Sequence, residues 1–197
     1  MPDTVTYYNN NAADFVADTQ AVDMAPLYQR FLHLLPQGAH ILDAGCGSGR
    51  DTLVFRECGY EVTAFDASHK MAAIAEQYTG EPIHVRRFEE LEWVGLFDGI
   101  WACASLLHVA REGLPSVFGK LASAMKPGGV LYCSFKYGTV DRVYGDRHFT
   151  DLDEAGLEQL MSESPDLELI EHWQSGDRRS DRPETVWLNA LIRRKGE

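Results

Sequence analysis

The stretch ILDAGCGSGRD, residues 41–51, places three glycines within five positions directly behind a short apolar run. Chains keep that much backbone freedom where they turn tightly or where backbone must come close to something else. The residues on either side decide which topology the turn serves. His40–Ala44 has the composition of a strand, and a helix is expected from about Arg50 to Cys58, where Gly59 stops it. YEVTAFD (60–66) then reads as a second strand. A strand, a glycine turn, a helix and another strand make the crossover unit from which parallel sheets are assembled.

The alternation continues along the chain. Ser68 is a suitable N-cap for a helix through Tyr78, with Met71, Ile74, Ala75 and Tyr78 on one face. PIHVRRF (82–88) and FDGIWACAS (97–105) read as strands three and four. Leu114, Val117, Phe118, Leu121 and Met125 are spaced for one face of a helix, and KPGG (126–129) leads into the apolar strand VLYCSF (130–135). Upstream, Leu27, Phe31 and Leu34 predict a helix over Met24–Leu35, ended by Pro36-Gln37-Gly38. Strands that are apolar throughout and alternate with helices imply a parallel sheet covered on both faces. After Phe135 the expectation is a loop to about Thr150, a helix from Asp151 to Met161, and strands near 167–173 and 184–193. The last two follow each other without a helical pattern between them, so they are expected as an antiparallel edge pair. The fold class is therefore α/β: a Rossmann-like, doubly wound, mostly parallel seven-stranded sheet with an antiparallel edge pair and helices on both faces.

With 197 residues the chain is one domain. Residues 1–20 are polar with scattered aromatics and read as a mobile N-terminal arm or lid, and 21–197 as the single domain. A net charge of −12 argues against a surface that tracks nucleic-acid phosphates. No apolar run approaches 18 residues, which speaks against a membrane span, and the polar start MPDTVTYYNNN speaks against a secretory signal. Cys46, Cys58, Cys103 and Cys133 lack any CxxC spacing and read as reduced thiols, so a cytoplasmic location is expected. No His, Cys or carboxylate spacing suggests a metal site, and EELE (89–92) and DLDE (151–154) read as helix starts or solvated faces.

The bland reading of the glycine turn is a tight connection with no ligand. Against it, a helix starting at Arg50 offers free backbone N–H groups, and Asp66 ends the second strand 17 residues after Gly49. In a βαβ unit of this kind such a carboxylate reaches a ribose diol, so the pair reads as adenosine binding. A dinucleotide fingerprint needs a third glycine where Arg50 stands; what is present instead is Asp43-x-Gly45-x-Gly47-x-Gly49. On these residues the chain resembles the class I S-adenosylmethionine-dependent methyltransferases. The likeness covers roughly residues 24–193, through ILDAGCGSGRD, VTAFDAS, RRFEELEW, FDGIWACASLLHV and MKPGGVLYCSF in that order. Within the superfamily it is most similar to small bacterial enzymes of the tellurite-resistance and ubiquinone-biosynthesis type. The resemblance implies S-adenosylmethionine as cofactor, with S-adenosylhomocysteine as product. It implies binding through Asp43, Gly45, Gly47, Asp66, Ala67 and Phe88, with Asp66 on the ribose hydroxyls and Phe88 on the adenine. One position departs: where many relatives carry an Asp that bonds the adenine amino group, this chain has Arg87, with Glu89 nearby.

Methyl transfer from a sulfonium is an in-line displacement that needs alignment and dryness more than a catalytic triad. His108, just past the fourth strand, is the candidate general base; the preferred alternative is a structural histidine bonded to a loop carbonyl. Tyr7 and Tyr8 either close over the cofactor, with a hydroxyl near its methionine carboxylate, or pin the arm to the surface; Tyr8 is counted with the cofactor-binding set. KYGTVDRVYGDRHFT (136–150) carries Lys136, Arg142, Tyr144, Arg147 and His148, which read as a lid favouring an anionic or polar compound, or as solvated charge. GDRRSDRPETVW (176–187) adds three arginines. The expected partner is a small-molecule methyl acceptor. A nucleic-acid methyltransferase is disfavoured by ACAS, where amino-methylating members carry an (Asn/Asp)-Pro-Pro-aromatic motif. A cofactor-binding regulator without turnover stays open, and an NAD-dependent oxidoreductase is disfavoured by the glycine register.

Overall fold

The computed structural model describes residues 3–179 and 181–196. Three helices, α1 (Thr4–Asn10), α2 (Ala12–Thr19) and α3 (Ala25–Leu32), precede β1 (His40–Ala44). Then come α4 (Arg50–Glu57), β2 (Glu61–Asp66), α5 (His69–Thr79), β3 (Ile83–Val85) and β4 (Phe97–Ala102). α6 (Leu114–Ala124), β5 (Met125–Lys136), β6 (Asp141–Tyr144), β7 (Arg147–Thr150), α7 (Glu154–Ser162), β8 (Leu167–Gly176) and β9 (Val186–Arg194) complete the chain. The main sheet has the order β3-β2-β1-β4-β5-β9-β8. Its first five strands pair in parallel, and β9 runs antiparallel to both β5 and β8.

Central strands of a parallel sheet are covered on both faces, and β1 obeys: Ile41 and Leu42 point opposite ways and both are fully buried. One layer is an aromatic cluster in which Phe31, Phe55, Trp101 and Tyr132 meet, Trp101 stacking on Tyr132 at 4.0 Å between ring centroids. The opposite layer receives α6, whose Leu114, Val117, Phe118 and Leu121 keep the spacing of one helical face. Burying one such side chain stabilises the fold by about 1.5–3 kcal/mol, so these two layers fix the sheet. Strand order reverses between β1 and β4, and the carboxyl ends of those strands are where doubly wound folds form their ligand crevice.

Two segments differ from the expectation. Residues 136–150 are not an open loop: β6 and β7 form a hairpin with Tyr144 opposite Arg147. Its two turn residues, Gly145 and Asp146, have φ of 55° and 61°, as the tight hairpin turn with two left-handed residues requires. Within the arm, for which no helix was expected, residues 4–19 form two short helices. Asp3 caps α1 by accepting from the Val5 N–H at 3.2 Å. The arm is tied to the body at several points. Asn9 Oδ1 accepts from Ser68 Oγ at 2.7 Å, Arg50 Nη1 donates to the Thr19 carbonyl at 2.9 Å, and the His148 N–H donates to Thr4 Oγ1 at 3.0 Å. Smaller differences lie at element ends: β4 stops at Ala102, and α7 starts at Glu154 because Asp153 caps it through the Gly156 N–H at 2.8 Å. Among the described residues no helix is long and apolar enough to cross a membrane, and no cluster of His, Cys, Asp and Glu is placed to hold a metal ion.

Candidate active site

The glycine turn is sewn to the end of β2, since the Gly45 and Cys46 N–H groups both donate to the Phe65 carbonyl at 2.9 Å. Gly45 is required by packing. A Cβ there would lie 2.5 Å from Ser105 Cβ, and Ser105 itself donates to the Ala44 carbonyl at 2.7 Å. The exit loop of β4 therefore rests directly on the turn. Gly47 is required by conformation: its φ is +56°, and its open side faces Phe15 and Met71. The turn forms one wall of a cavity of about 290 Å³ that extends past Asp66 and Phe88 at one end and His108 at the other.

Asp66 stands at the carboxyl end of β2 and lines this cavity. Its Oδ2 accepts from the Gly47 N–H at 2.9 Å and its Oδ1 from the Ser68 N–H at 2.8 Å. Each carboxylate oxygen can take a second donor, so the side chain keeps capacity for a diol. Burial pushes its carboxyl upward while those backbone donors pull it down; burial is the larger effect. Ala67 also lines the cavity, as does Phe88, which is buried with its ring edge-on to Phe65 at 5.2 Å. Arg87 and Glu89 line the same end. An acid on β2, an apolar ring beside it and a backbone turn with no side chain in the way are the groups that a nucleoside with an amino-acid arm requires. Asp43 is not brought into the cavity. It is buried beneath the turn, where it accepts from Thr52 Oγ1 at 2.6 Å, and burial pushes its carboxyl upward.

Among the lining residues that the sequence did not single out, two stand out. Asp51 is buried and accepts from Arg50 Nε at 2.6 Å, from Trp101 Nε1 at 2.7 Å and from the Tyr28 hydroxyl. Apart from the adjacent Arg50, its partners come from α3 and β4, so local pattern carries little trace of the cluster; the only signal was an acid in the first turn of α4. Ala104 has φ of 52°, unusual for a residue with a side chain, and its N–H is held by Ser134 Oγ at 2.8 Å. Such backbone outliers collect at functional sites because the surrounding structure has to enforce them.

At the far end His108 is held from both sides. Nδ1 lies 2.7 Å from the His148 carbonyl, so that nitrogen carries the proton and donates. Nε2 is then an acceptor, and the Tyr8 hydroxyl donates to it at 2.9 Å. Burial lowers His108 to about 4, which leaves the imidazole neutral around pH 7, and burial raises Tyr8. Tyr8 also packs edge-on to Phe15 at 5.1 Å, so both arm helices contribute to this wall. Tyr7 lies outside the lining, under the Arg147 guanidinium at 4.3 Å. Lys136, Arg147 and Phe149 line the cavity, whereas Arg142, Tyr144 and His148 do not; Arg142 pairs with Asp151 at 2.9 Å. Of the second basic stretch, Arg178, Arg179 and Arg182 all line it.

Comparison with known proteins adds an independent line. A family model described as a methyltransferase domain matches residues 16–182. YqeM of Bacillus subtilis (strain 168) is 30% identical over 149 residues, covering 69% of this chain and 59% of that protein's length. The ubiquinone biosynthesis O-methyltransferase of Xanthomonas axonopodis pv. citri is 29% identical over 192 residues, covering 81% of this chain and 78% of its own. In structure, the Burkholderia thailandensis 1,6-didemethyltoxoflavin-N1-methyltransferase superposes with a TM-score of 0.77 at 23% identity, over 97% of this chain and 85% of that one. That structure holds 1,6-didemethyltoxoflavin and S-adenosylhomocysteine.

Proposed function

Because this chain belongs to the class I S-adenosylmethionine-dependent methyltransferases, we propose that the cavity between its glycine turn and its N-terminal arm methylates a small molecule. When bound, the cofactor supplies an electrophilic methyl group on a sulfonium. Asp66 takes the ribose hydroxyls, Phe88 covers the adenine, and the Gly45–Gly47 turn allows close backbone approach. The observation that supports a small acceptor is the Tyr8–His108 hydrogen bond at 2.9 Å, which ties the arm across the far end of the cavity. An acceptor there is enclosed by side chains of α1, α2, β5 and β7, which suits a compact molecule better than a polymer.

In this reading the His148 carbonyl holds His108 with Nε2 toward the Tyr8 hydroxyl, and that hydroxyl faces the acceptor. As the acceptor's oxygen or sulfur gains a methyl group, its proton becomes strongly acidic, so a base held at about 4 is adequate. The acceptor's proton passes to the Tyr8 oxygen while the Tyr8 proton passes to Nε2. Enclosure by the arm excludes water from the reacting groups.

The test is formation of S-adenosylhomocysteine with a panel of small hydroxyl, thiol and amine acceptors, set beside RNA and DNA. At least one small acceptor is expected to turn over. His108→Gln is then expected to lower kcat by about 10²–10⁴-fold with cofactor affinity retained. Turnover on nucleic acid alone, or cofactor binding without turnover on any acceptor, contradicts the reading.

A further inference from the structure

The acceptor end of the cavity holds two cations that no carboxylate pairs among the described residues. Lys136 is the last residue of β5, and Arg147 is the first of β7. Both sit over the Phe149 ring, Lys136 Nζ at 4.3 Å and Arg147 Cζ at 5.2 Å from its centroid. The His108 ring lies 5.0 Å from the same ring. The chain has 30 acidic residues against 18 basic ones, so a carboxylate partner is the ordinary outcome for a basic side chain here. The other cations nearby have one: Arg142 pairs with Asp151, Arg178 with Asp23, Arg179 with Asp177 and Arg182 with Asp181. Among the described residues Lys136 and Arg147 make no ion pair. Arg147 Nε is in addition buried without any hydrogen-bond partner.

Two neighbouring cations in a partly dry cleft repel each other and lose hydration, a cost that the Phe149 and Tyr7 rings offset in part and an anionic ligand would offset further. We infer that Lys136 and Arg147 form an anion subsite that receives a carboxylate or phosphate of the methyl acceptor, with Phe149 against the acceptor's body and its nucleophile toward His108. Lys136 is not part of the cofactor end: β5 lies two strands from β1, about 10 Å along the sheet. The inference rests on the proposed methyltransfer at this site and adds the charge class of the substrate. Burial, with Arg142, Arg147 and Arg182 against it and Asp151 in its favour, lowers Lys136 to about 8.

Calorimetric titration of the whole chain with benzoate, phenyl phosphate and neutral benzamide, each with and without S-adenosylhomocysteine, tests this. At least one anion is expected to bind about tenfold or more tightly than benzamide, and the stronger of the two identifies the group. Lys136→Met is expected to remove the preference while S-adenosylhomocysteine binds as in the wild type, and Arg147→Lys to keep more of it than Arg147→Gln. Benzamide binding as tightly as the anions overturns the inference, as does absence of binding by all three, or a preference that survives in Lys136→Met. Failure of the wild type to take up S-adenosylhomocysteine counts against the underlying methyltransfer reading instead, and the titrations without it still decide the anion subsite.

Discussion

Single residues in this site are chosen by distinct forces, even within one turn. Gly45 answers to the 2.5 Å approach of Ser105, Gly47 to a left-handed backbone, and Asp43 to a buried bond with Thr52 beneath both. His108 illustrates how placement sets protonation. Its ordinary value is 6.5, and burial, opposed by the bond to the His148 carbonyl, holds it at about 4. Between those values the unfolded chain binds a proton that the folded chain refuses. The stabilising contribution is therefore full above pH 6.5 and lost as pH falls through 4, roughly 3 kcal/mol in all. Urea unfolding of wild type and His108→Gln across pH 7.5 to 4 checks this, since most other titrations cancel in the difference. The gap between the two proteins is expected to shrink, or change in favour of the variant, as pH falls; a constant gap would show that His108 titrates normally.

Among the elements, the arm is the one whose order depends most on its neighbours. A helix of seven residues followed by one of eight is far below the length that is stable alone in water. What holds α1 and α2 are the bonds to Ser68, Arg50, His148 and His108 together with the Tyr8–Phe15 contact, and several of these partners border the cavity. Ligand in the cavity is thus expected to tighten the arm. Amide hydrogen exchange from Tyr7 to Phe15 should slow when S-adenosylhomocysteine is added, and equal exchange with and without it would rule out a lid. These helices were hidden in the sequence for the same reason: a polar, short segment has no periodicity of its own, and its partners lie up to 144 residues away. The β6–β7 hairpin was equally obscured, because Asp141, Arg142 and Arg147 interrupt any apolar alternation and the Gly145-Asp146 turn reads as ordinary loop composition.

At the scale of the whole molecule, the parallel half of the sheet was legible because its central strands β1, β4 and β5 are apolar on both faces and glycines or capping residues mark the ends of the intervening elements. Ser68 caps α5 through the Met71 N–H at 3.1 Å as its position implied, and the antiparallel β8–β9 pair at the sheet edge was evident from the absence of a helix between those strands. The glycine-turn end of the cavity was readable from one contiguous motif and one acid, whereas the far end is assembled from α1, α2, the loop after β4, β5 and β7, and only the fold brings these together. The central claim is that this fold holds S-adenosylmethionine across the β1–β2 ends with Asp66 on the ribose. Calorimetric titration of S-adenosylhomocysteine into wild type and Asp66→Ala, with thermal melting to confirm that the variant folds, tests it most directly. Loss of a charge-assisted contact is expected to weaken binding by about 1.5–3 kcal/mol, roughly 10- to 150-fold. Equal affinity in a folded Asp66→Ala protein would contradict it.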